Sequence, residues 1–449
     1  MSEIKLPEGW IDAQLGQIID YGKANKKVLS DVKPSTWVLE LEDIEKDSSK
    51  ILNQVEMSER PFKSTKNSFK KGDVLYGKLR PYLNKVIVAN RDGVCTTEII
   101  PISAEPLCSN KYIFYWLKNS IFLRYVNDVS YGVNMPRLGT SDGNRAPFRL
   151  APFAEQKIIV DKLDTLLVQV DGAKTRLEKI PQILKRFRQA VLASAVSGRL
   201  TEEWRGTTIL TDWKKGILKN FIKKPSYGTS AKSQKEGSIP VLRMGNLQDG
   251  KLDWSDLVYT SDKNEIEKYK LIAGDVLFNR TNSPELVGKT SIYKGERKAI
   301  YAGYLIKIQC LEALNPEYLN YHLNSHIAKQ YCYEVKADGV SQSNINAQKL
   351  AAYPLEVPPI NEQHEIVRRV EQLFIYADGI EKQVQNALKH VNNLTQSILA
   401  KAFRGELTAQ WRAENPDLIS GENSAQALLA KIQQQRKSTK TIKRSKGNS

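Results

Sequence analysis

Four places in this 449-residue chain carry residues whose types and spacing could do chemistry, and each lacks a necessary member. Methyl transfer to adenine needs a glycine-rich cofactor loop and an (Asn/Asp)-Pro-Pro-(Tyr/Phe) tetrapeptide that holds the exocyclic amine. The nearest match, Asn315-Pro316-Glu317-Tyr318, has glutamate at its third position. A plainer role fits it, with Asn315 as the N-cap and Pro316 as the first residue of a helix. Gly288-Lys289-Thr290 is like the end of a phosphate loop, but Ser283 stands where a glycine is required and Pro284 stiffens the approach. His322 and His326 are spaced i, i+4, yet no HExxH glutamate or third ligand accompanies them, which predicts two surface histidines and no metal site. Cys95, Cys108, Cys310 and Cys332 show no CxxC spacing, so neither a zinc knuckle nor a disulfide framework is indicated. The sequence therefore reads as non-catalytic.

What remains is recognition chemistry. Lys78, Arg80, Tyr82, Asn84 and Lys85 lie in one stretch, and Asn134 and Arg137 in a second. Further along come Arg243, Asn246, Asn279, Arg280 and Asn282, then Ser341, Gln342, Ser343 and Asn344. Arginine and lysine match guanine edges and phosphates, and asparagine and glutamine match adenine, so these residues are the expected DNA contacts.

The elements that must position them are duplicated. Residues 152–205 align without a gap on residues 359–412, at an offset of 207, with 17 of 54 positions identical. Shared residues include Glu155-Gln156 with Glu362-Gln363, Gly198 with Gly405, Thr201 with Thr408, and Trp204-Arg205 with Trp411-Arg412. In the first copy Ile159, Leu163, Leu166, Val170, Ala173, Leu177, Ile180, Leu184, Phe187 and Val191 recur at steps of four and three. In the second, Ile366, Val370, Leu373, Ala377, Ile380, Val384, Ala387, Val391, Leu394 and Ile398 do the same. A 3.5-residue period predicts a coiled-coil seam on each copy, and the two seams are expected to pack on each other. Pro181 breaks the symmetry, because Leu388 is its counterpart, and it predicts a kink or a two-piece helix.

Before each copy lies a strand-rich block that starts near a tryptophan, Trp10 or Trp213, and ends in a proline-bearing entry to the helix. The blocks share signposts, such as KKGDVLYGKLRP at 70–81 against IAGDVLFNRTNS at 272–283. The expected fold is α+β, with two tandem strand-rich domains and two long helices that form an intramolecular coiled coil with pseudo-two-fold symmetry. The boundaries predicted are 1–151 and 207–357 for the blocks, 152–206 and 358–412 for the helical segments, and 413–449 for a basic, disordered tail.

Lysine and arginine exceed aspartate and glutamate by 17, which points to a polyanionic partner. Six of those charges, Arg436, Lys437, Lys440, Lys443, Arg444 and Lys446, fall in the tail, so the rest of the chain is only mildly basic. A hydrophobic content of 41% excludes a disordered chain. No apolar run approaches the ~18 residues of a membrane helix, and the start MSEIKLPEGW lacks a signal-peptide core, so a soluble cytoplasmic protein is expected.

Two variable blocks, each followed by a proline-entered helix with an EQ motif, resemble the specificity (S) subunit of type I restriction-modification systems. The segments LRMGNLQDGKL, GDVLF, SNIN and PLEVPPINEQHEIV are typical of its target recognition domains, and RRVEQLF through GELTAQWRAENPDL is similar to the enterobacterial type IA group. The first block has WVLELEDI where a clean LRxxN motif belongs. The resemblance implies that each block reads one half of an asymmetric bipartite DNA target while the helices set the spacer. It implies two modification subunits that use S-adenosylmethionine for N6-adenine methylation, and two restriction subunits that use ATP and Mg, with no cofactor bound by this chain. The residues alone leave a rival open: a stand-alone DNA-binding protein or coiled-coil scaffold.

Overall fold

The two apolar stripes lie on α-helices of equal length, Phe153–Val196 and Ile360–Phe403. The structure, a computed structural model, describes residues 5–340 and 342–445. Pro181 does not divide the first helix, which is assigned as one unbroken 44-residue element. Proline removes one backbone bond there, but Leu184, Phe187 and Val191 continue the inward stripe beyond it and hold the helix together.

The chain packs as two units, and the division cuts through both long helices rather than falling at their ends. The first unit takes the residues up to Leu177 together with those from Ala387 onward; the second is Glu178–Asn386. Each unit thus contains one block and half of each long helix.

In the first unit Ile11–Gln14 pairs antiparallel with Pro147–Leu150, which feeds the first long helix. Val74–Gly77, wholly buried, is the central strand between Val86–Val88 and Ile99–Ile102. Trp37–Leu39 runs parallel to Gly93–Cys95 in a second sheet. In the second unit the same plan recurs: Lys214–Ile217 on Pro354–Val357, Val276–Asn279 between Thr290–Ile292 and Leu305–Ile308, and Ile239–Leu242 parallel to Ile300–Tyr301. Asn315 caps the helix Pro316–Leu323, its Oδ1 accepting from the Tyr318 N–H at 3.0 Å.

The long helices pack together inside each unit. In the first, Ile159, Val160 and Leu163 share a core with Leu399, Ala402 and Phe403. In the second, Val191, Leu192 and Ala195 share one with Ile366 and Val370, and Arg188 reaches Asp378 and Glu381 at 2.6 and 2.8 Å. Leu394, expected in the seam, is instead 45% exposed, and Ala173 is exposed as well. A 3.5-residue stripe drifts by ~20° per heptad on a helix of 3.6 residues per turn, so in the last turns Leu399, Ala402 and Phe403 face inward instead.

Each EQ motif fastens a helix start. Glu155 is fully buried and accepts from Trp10 Nε1 at 2.7 Å, Thr408 Oγ1 at 2.6 Å and Arg412 Nη1 at 2.6 Å. Glu362 accepts in the same way from Trp213 Nε1 at 3.0 Å, Thr201 Oγ1 at 2.7 Å and Arg205 Nη1. Gln156 and Gln363 bind backbone: Gln156 accepts from the Ser109 N–H and donates to the Ala151 carbonyl, and Gln363 accepts from the Asn315 N–H and donates to the Pro358 carbonyl. The arginines are aimed by Gly405 and Gly198, whose φ of +73° and +74° ends each helix and whose carbonyls accept the second guanidinium nitrogen. The Thr and Arg anchors of one repeat copy therefore close on the glutamate of the other, and a tryptophan from outside the repeats, Trp10 or Trp213, completes each set.

The tail corrects an expectation. Ala425–Ser445 is helical, and Ala425, Leu428 and Ile432 enter the core of the first unit. Arg436 Nη1 donates to the Gly16 carbonyl at 2.7 Å and its Nη2 binds Asp20. Charge count alone suggested disorder; an apolar stripe at 425, 428 and 432 gives this stretch a face to bury. Lys446 lies outside the described residues.

His322 is also corrected, since it is buried and Nδ1 lies 3.0 Å from the Tyr353 hydroxyl, while His326 is exposed. Burial holds the imidazole at a pKa of about 4. The unfolded chain takes up that proton near pH 6.5, so the stability contributed by the neutral ring is present above pH 6.5 and is lost as pH falls towards 4. The expected loss is up to ~3 kcal/mol, at ~1.4 kcal/mol per pKa unit. Thermal melts from pH 7.5 to 4.5 check this, because His322→Phe should flatten the slope of the second unit's transition.

Candidate nucleic-acid interface

In both units a buried strand delivers its chain to the surface at one cation. Val74–Gly77 leads into Lys78, whose N–H donates to the Glu98 carbonyl at 2.9 Å and whose carbonyl accepts from the Leu138 N–H at 3.0 Å. Val276–Asn279 leads into Arg280, whose N–H donates to the Tyr304 carbonyl at 3.0 Å and whose carbonyl accepts from the Ile345 N–H at 2.8 Å. The backbone frames match bond for bond.

Beside each cation a loop protrudes. In the first unit Tyr131 and Leu79 both bridge to Arg137; in the second Thr281–Asn282 and Ala337–Asp338 pair with Ser343–Asn344. Val133 and Val340 stand fully exposed at the tips, with Tyr131, Asn134 and Met135 exposed in the first loop and Gln342 in the second. Ser341 lies outside the described residues. Sequence reasoning missed both valines, although Gly132-Val133 and Gly339-Val340 keep the 207-residue offset of the helices.

The structure sorts the expected contacts. Arg80 is exposed, with φ 50° and its N–H on the Pro136 carbonyl, and Tyr82 follows at 53% exposure. Arg137 is tied by Nε to both Glu98 oxygens at 3.1 and 3.2 Å. Lys85 spends its ammonium on the Leu41 carbonyl at 2.7 Å, and burial lowers its pKa. Asn84 is buried. Asn246 is a turn residue: it accepts from the Arg243 N–H and donates to the Asp253 and Asp256 carbonyls. Asp43 makes the same turn on the Glu40 N–H and pairs with Arg60, so WVLELED does stand in the place of the LRxxN segment. Lys85, Asn84, Asn246 and Asn279 are thus withdrawn into the fold: Lys85, Asn246 and Asn279 Oδ1 bond backbone groups, and Asn84 is buried with its Oδ1 unpartnered. Arg243 extends to Asp256 at 3.1 Å, and the Asn282 side chain accepts from the Ser283 N–H at 2.8 Å.

Arg280 is held differently. Its guanidinium lies over the Tyr227 ring, 4.6 Å to the centroid, and its Nη2 is 3.4 Å from Asn344 Oδ1. Asn344 is itself fixed by donating to Thr281 Oγ1 at 2.7 Å. Tyr227 and Tyr304 are 42% and 52% exposed beside it, and sequence reasoning passed over both. Among the described residues no group of His, Cys, Asp and Glu side chains could hold a metal ion, and no helix is long and apolar enough to cross a membrane.

The two α+β blocks thus carry cationic, amide and aromatic groups around one repeated backbone frame, the residue types that read base edges. Residues 7–182 and 211–390 each match the type I restriction modification DNA specificity domain, and the chain belongs to that family. It is 44% identical over 338 residues to the type I restriction enzyme EcoKI specificity subunit of Escherichia coli K12, covering 74% of this chain and 73% of that one. It is 43% identical to the StySPI specificity subunit of Salmonella potsdam over 74% and 73% of the two chains, and 41% identical to the Escherichia coli EcoBI subunit over 79% and 77%. Among solved structures, the fold matches a chain from work on complex assembly and conformational transition of the type I R-M system (TM-score 0.73, 19% identity, 89% of this chain and 99% of that one). It also matches the HsdS subunit of Thermoanaerobacter tengcongensis (TM-score 0.60, 20% identity, 90% and 99%).

Proposed function

We propose that this chain is the DNA specificity subunit of a type I restriction-modification assembly and leaves catalysis to its partners. Each recognition domain reads one half of an asymmetric bipartite target, and the long helices set the spacer between the halves. Two modification subunits bring S-adenosylmethionine for N6-adenine methylation, and two restriction subunits bring ATP and Mg for cleavage of unmodified DNA. The observation that carries this reading is the repetition of one backbone frame with different side chains upon it: Lys78, Glu98 and Arg137 in one domain, Arg280, Tyr304 and Asn344 in the other. Identical frames with different chemistry suit two unlike half-sites. The names of the relatives support the same assignment.

The test is a domain exchange. Residues 11–151 are replaced by the block of another family member, which leaves Trp10 on Glu155, and methylated adenines are mapped in cells that also carry the modification subunits. One half-site should change and the other should stay. A change in both, or in neither, would sink the modular reading.

A further inference from the structure

The three positions that coincide between the two frames differ in every residue: Lys78 against Arg280, Glu98 against Tyr304, and Arg137 against Asn344. The equivalence rests on backbone bonds rather than on alignment. Strand partners Gly77↔Ile99 and Asn279↔Leu305 bring Glu98 and Tyr304 to the same place. The bonds to Leu138 and Ile345 do so for Arg137 and Asn344.

We propose that these are the specificity-determining positions of each domain, and that Arg280 reads a guanine in the half-site of the second domain. This rests on the DNA-recognition reading above and deepens it. A guanidinium carries five N–H donors in a plane. Arg280 places Nη1 3.5 Å from the Gly303 carbonyl and Nη2 3.4 Å from Asn344 Oδ1, and no carboxylate pairs with it among the described residues. One proton remains on each terminal nitrogen, and the fifth, on Nε, is buried without a partner, so the terminal pair forms the open fork. The Tyr227 ring fixes the plane of that fork, and Asn344, locked by Thr281, fixes its rotation. A pre-oriented two-donor fork matches the O6 and N7 acceptors on the major-groove edge of guanine. A phosphate would accept the same fork, but a phosphate contact gives no reason for two otherwise identical frames to carry different residues at these three places.

In the first domain the corresponding group is Lys78, beside a carboxylate already engaged by Arg137. That set offers a single ammonium and a carboxylate with lone pairs to spare, so it reads a different base pattern.

The experiment maps methylated adenines genome-wide in cells that express the chain with its modification subunits, for the wild type, Arg280→Ala, Arg280→Gln and Lys78→Ala. Arg280→Ala should make one G·C position of one half-site tolerant, with discrimination there falling roughly 10- to 100-fold. Arg280→Gln keeps a planar polar group and should move that position towards adenine. Lys78→Ala should alter only the other half-site. If Arg280→Ala and Arg280→Gln keep the wild-type motif at every position while methylation falls uniformly, and the salt dependence of DNA binding drops by about one charge, Arg280 holds a phosphate and the proposal fails. A wild-type map without any bipartite motif overturns the underlying function instead, and the inference with it.

Discussion

Glu155→Ala is expected to lower the melting transition of the first unit by about 10 °C and to leave the second unit's transition in place. The carboxylate is completely buried and is the shared acceptor for an indole, a hydroxyl and a guanidinium. Its removal takes the carboxylate partner from the Arg412 guanidinium, which is 14% exposed, and leaves two buried neutral donors without their acceptor. Breaking a buried pair in this way costs ~3–5 kcal/mol. For a unit of this size each kcal/mol moves the midpoint by ~2–4 °C. Differential scanning calorimetry of the full chain separates the transitions, with Glu406→Ala as the comparison, since that carboxylate pairs with Arg404 at the surface. A Glu155→Ala midpoint within the range of the Glu406→Ala control would show that the clasp contributes nothing.

Phe403→Ala should produce a loss of similar size by another mechanism. Its ring is wholly buried and meets Trp116 edge-on at 5.0 Å and Tyr112 at 5.2 Å, beside Phe148. Truncation leaves a cavity lined by rigid aromatics that cannot collapse into it, for ~3–5 kcal/mol. The matching position in the second unit is Val196, so Val196→Ala should cost less, ~1.6 kcal/mol for two carbons at ~0.8 kcal/mol each. Urea titration of the two variants gives the comparison, and equal losses would contradict this account of the core.

The regular parts of this fold were legible because their periods are written in apolar residues. Both helices follow from spacing and the Asn315 cap from residue type, whereas GDVLY and GDVLF were legible only as recurring segments and prove to be the central buried strands. Three things were not legible, each for a physical reason. The partners of Glu155 lie as far as 257 residues away, and no local pattern encodes which copy's arginine a glutamate will meet. Asn246 carries the side chain of a base reader, yet the turn it closes consumes its hydrogen bonds. The tail is basic enough to suggest disorder, and only the docked face at Ala425, Leu428 and Ile432 shows otherwise. The strongest candidate contact, Arg280, was visible by residue type, but its Tyr227 stack comes from a strand 53 residues upstream.

The way the two units partition the chain also sets an order of events at the ribosome. Glu178–Asn386 is one continuous stretch, complete once its last codon is translated and its residues have emerged. The first unit has no such autonomy, because Phe403, Thr408, Arg412 and Leu428 are synthesised only after the second unit is complete. Of the two units, the one whose block comes first in the chain is completed second, and its unfilled core must stay out of trouble while the other is made. A message broken just after the codon for Ala400 would therefore spare the second unit, Glu178–Asn386, and disable the first.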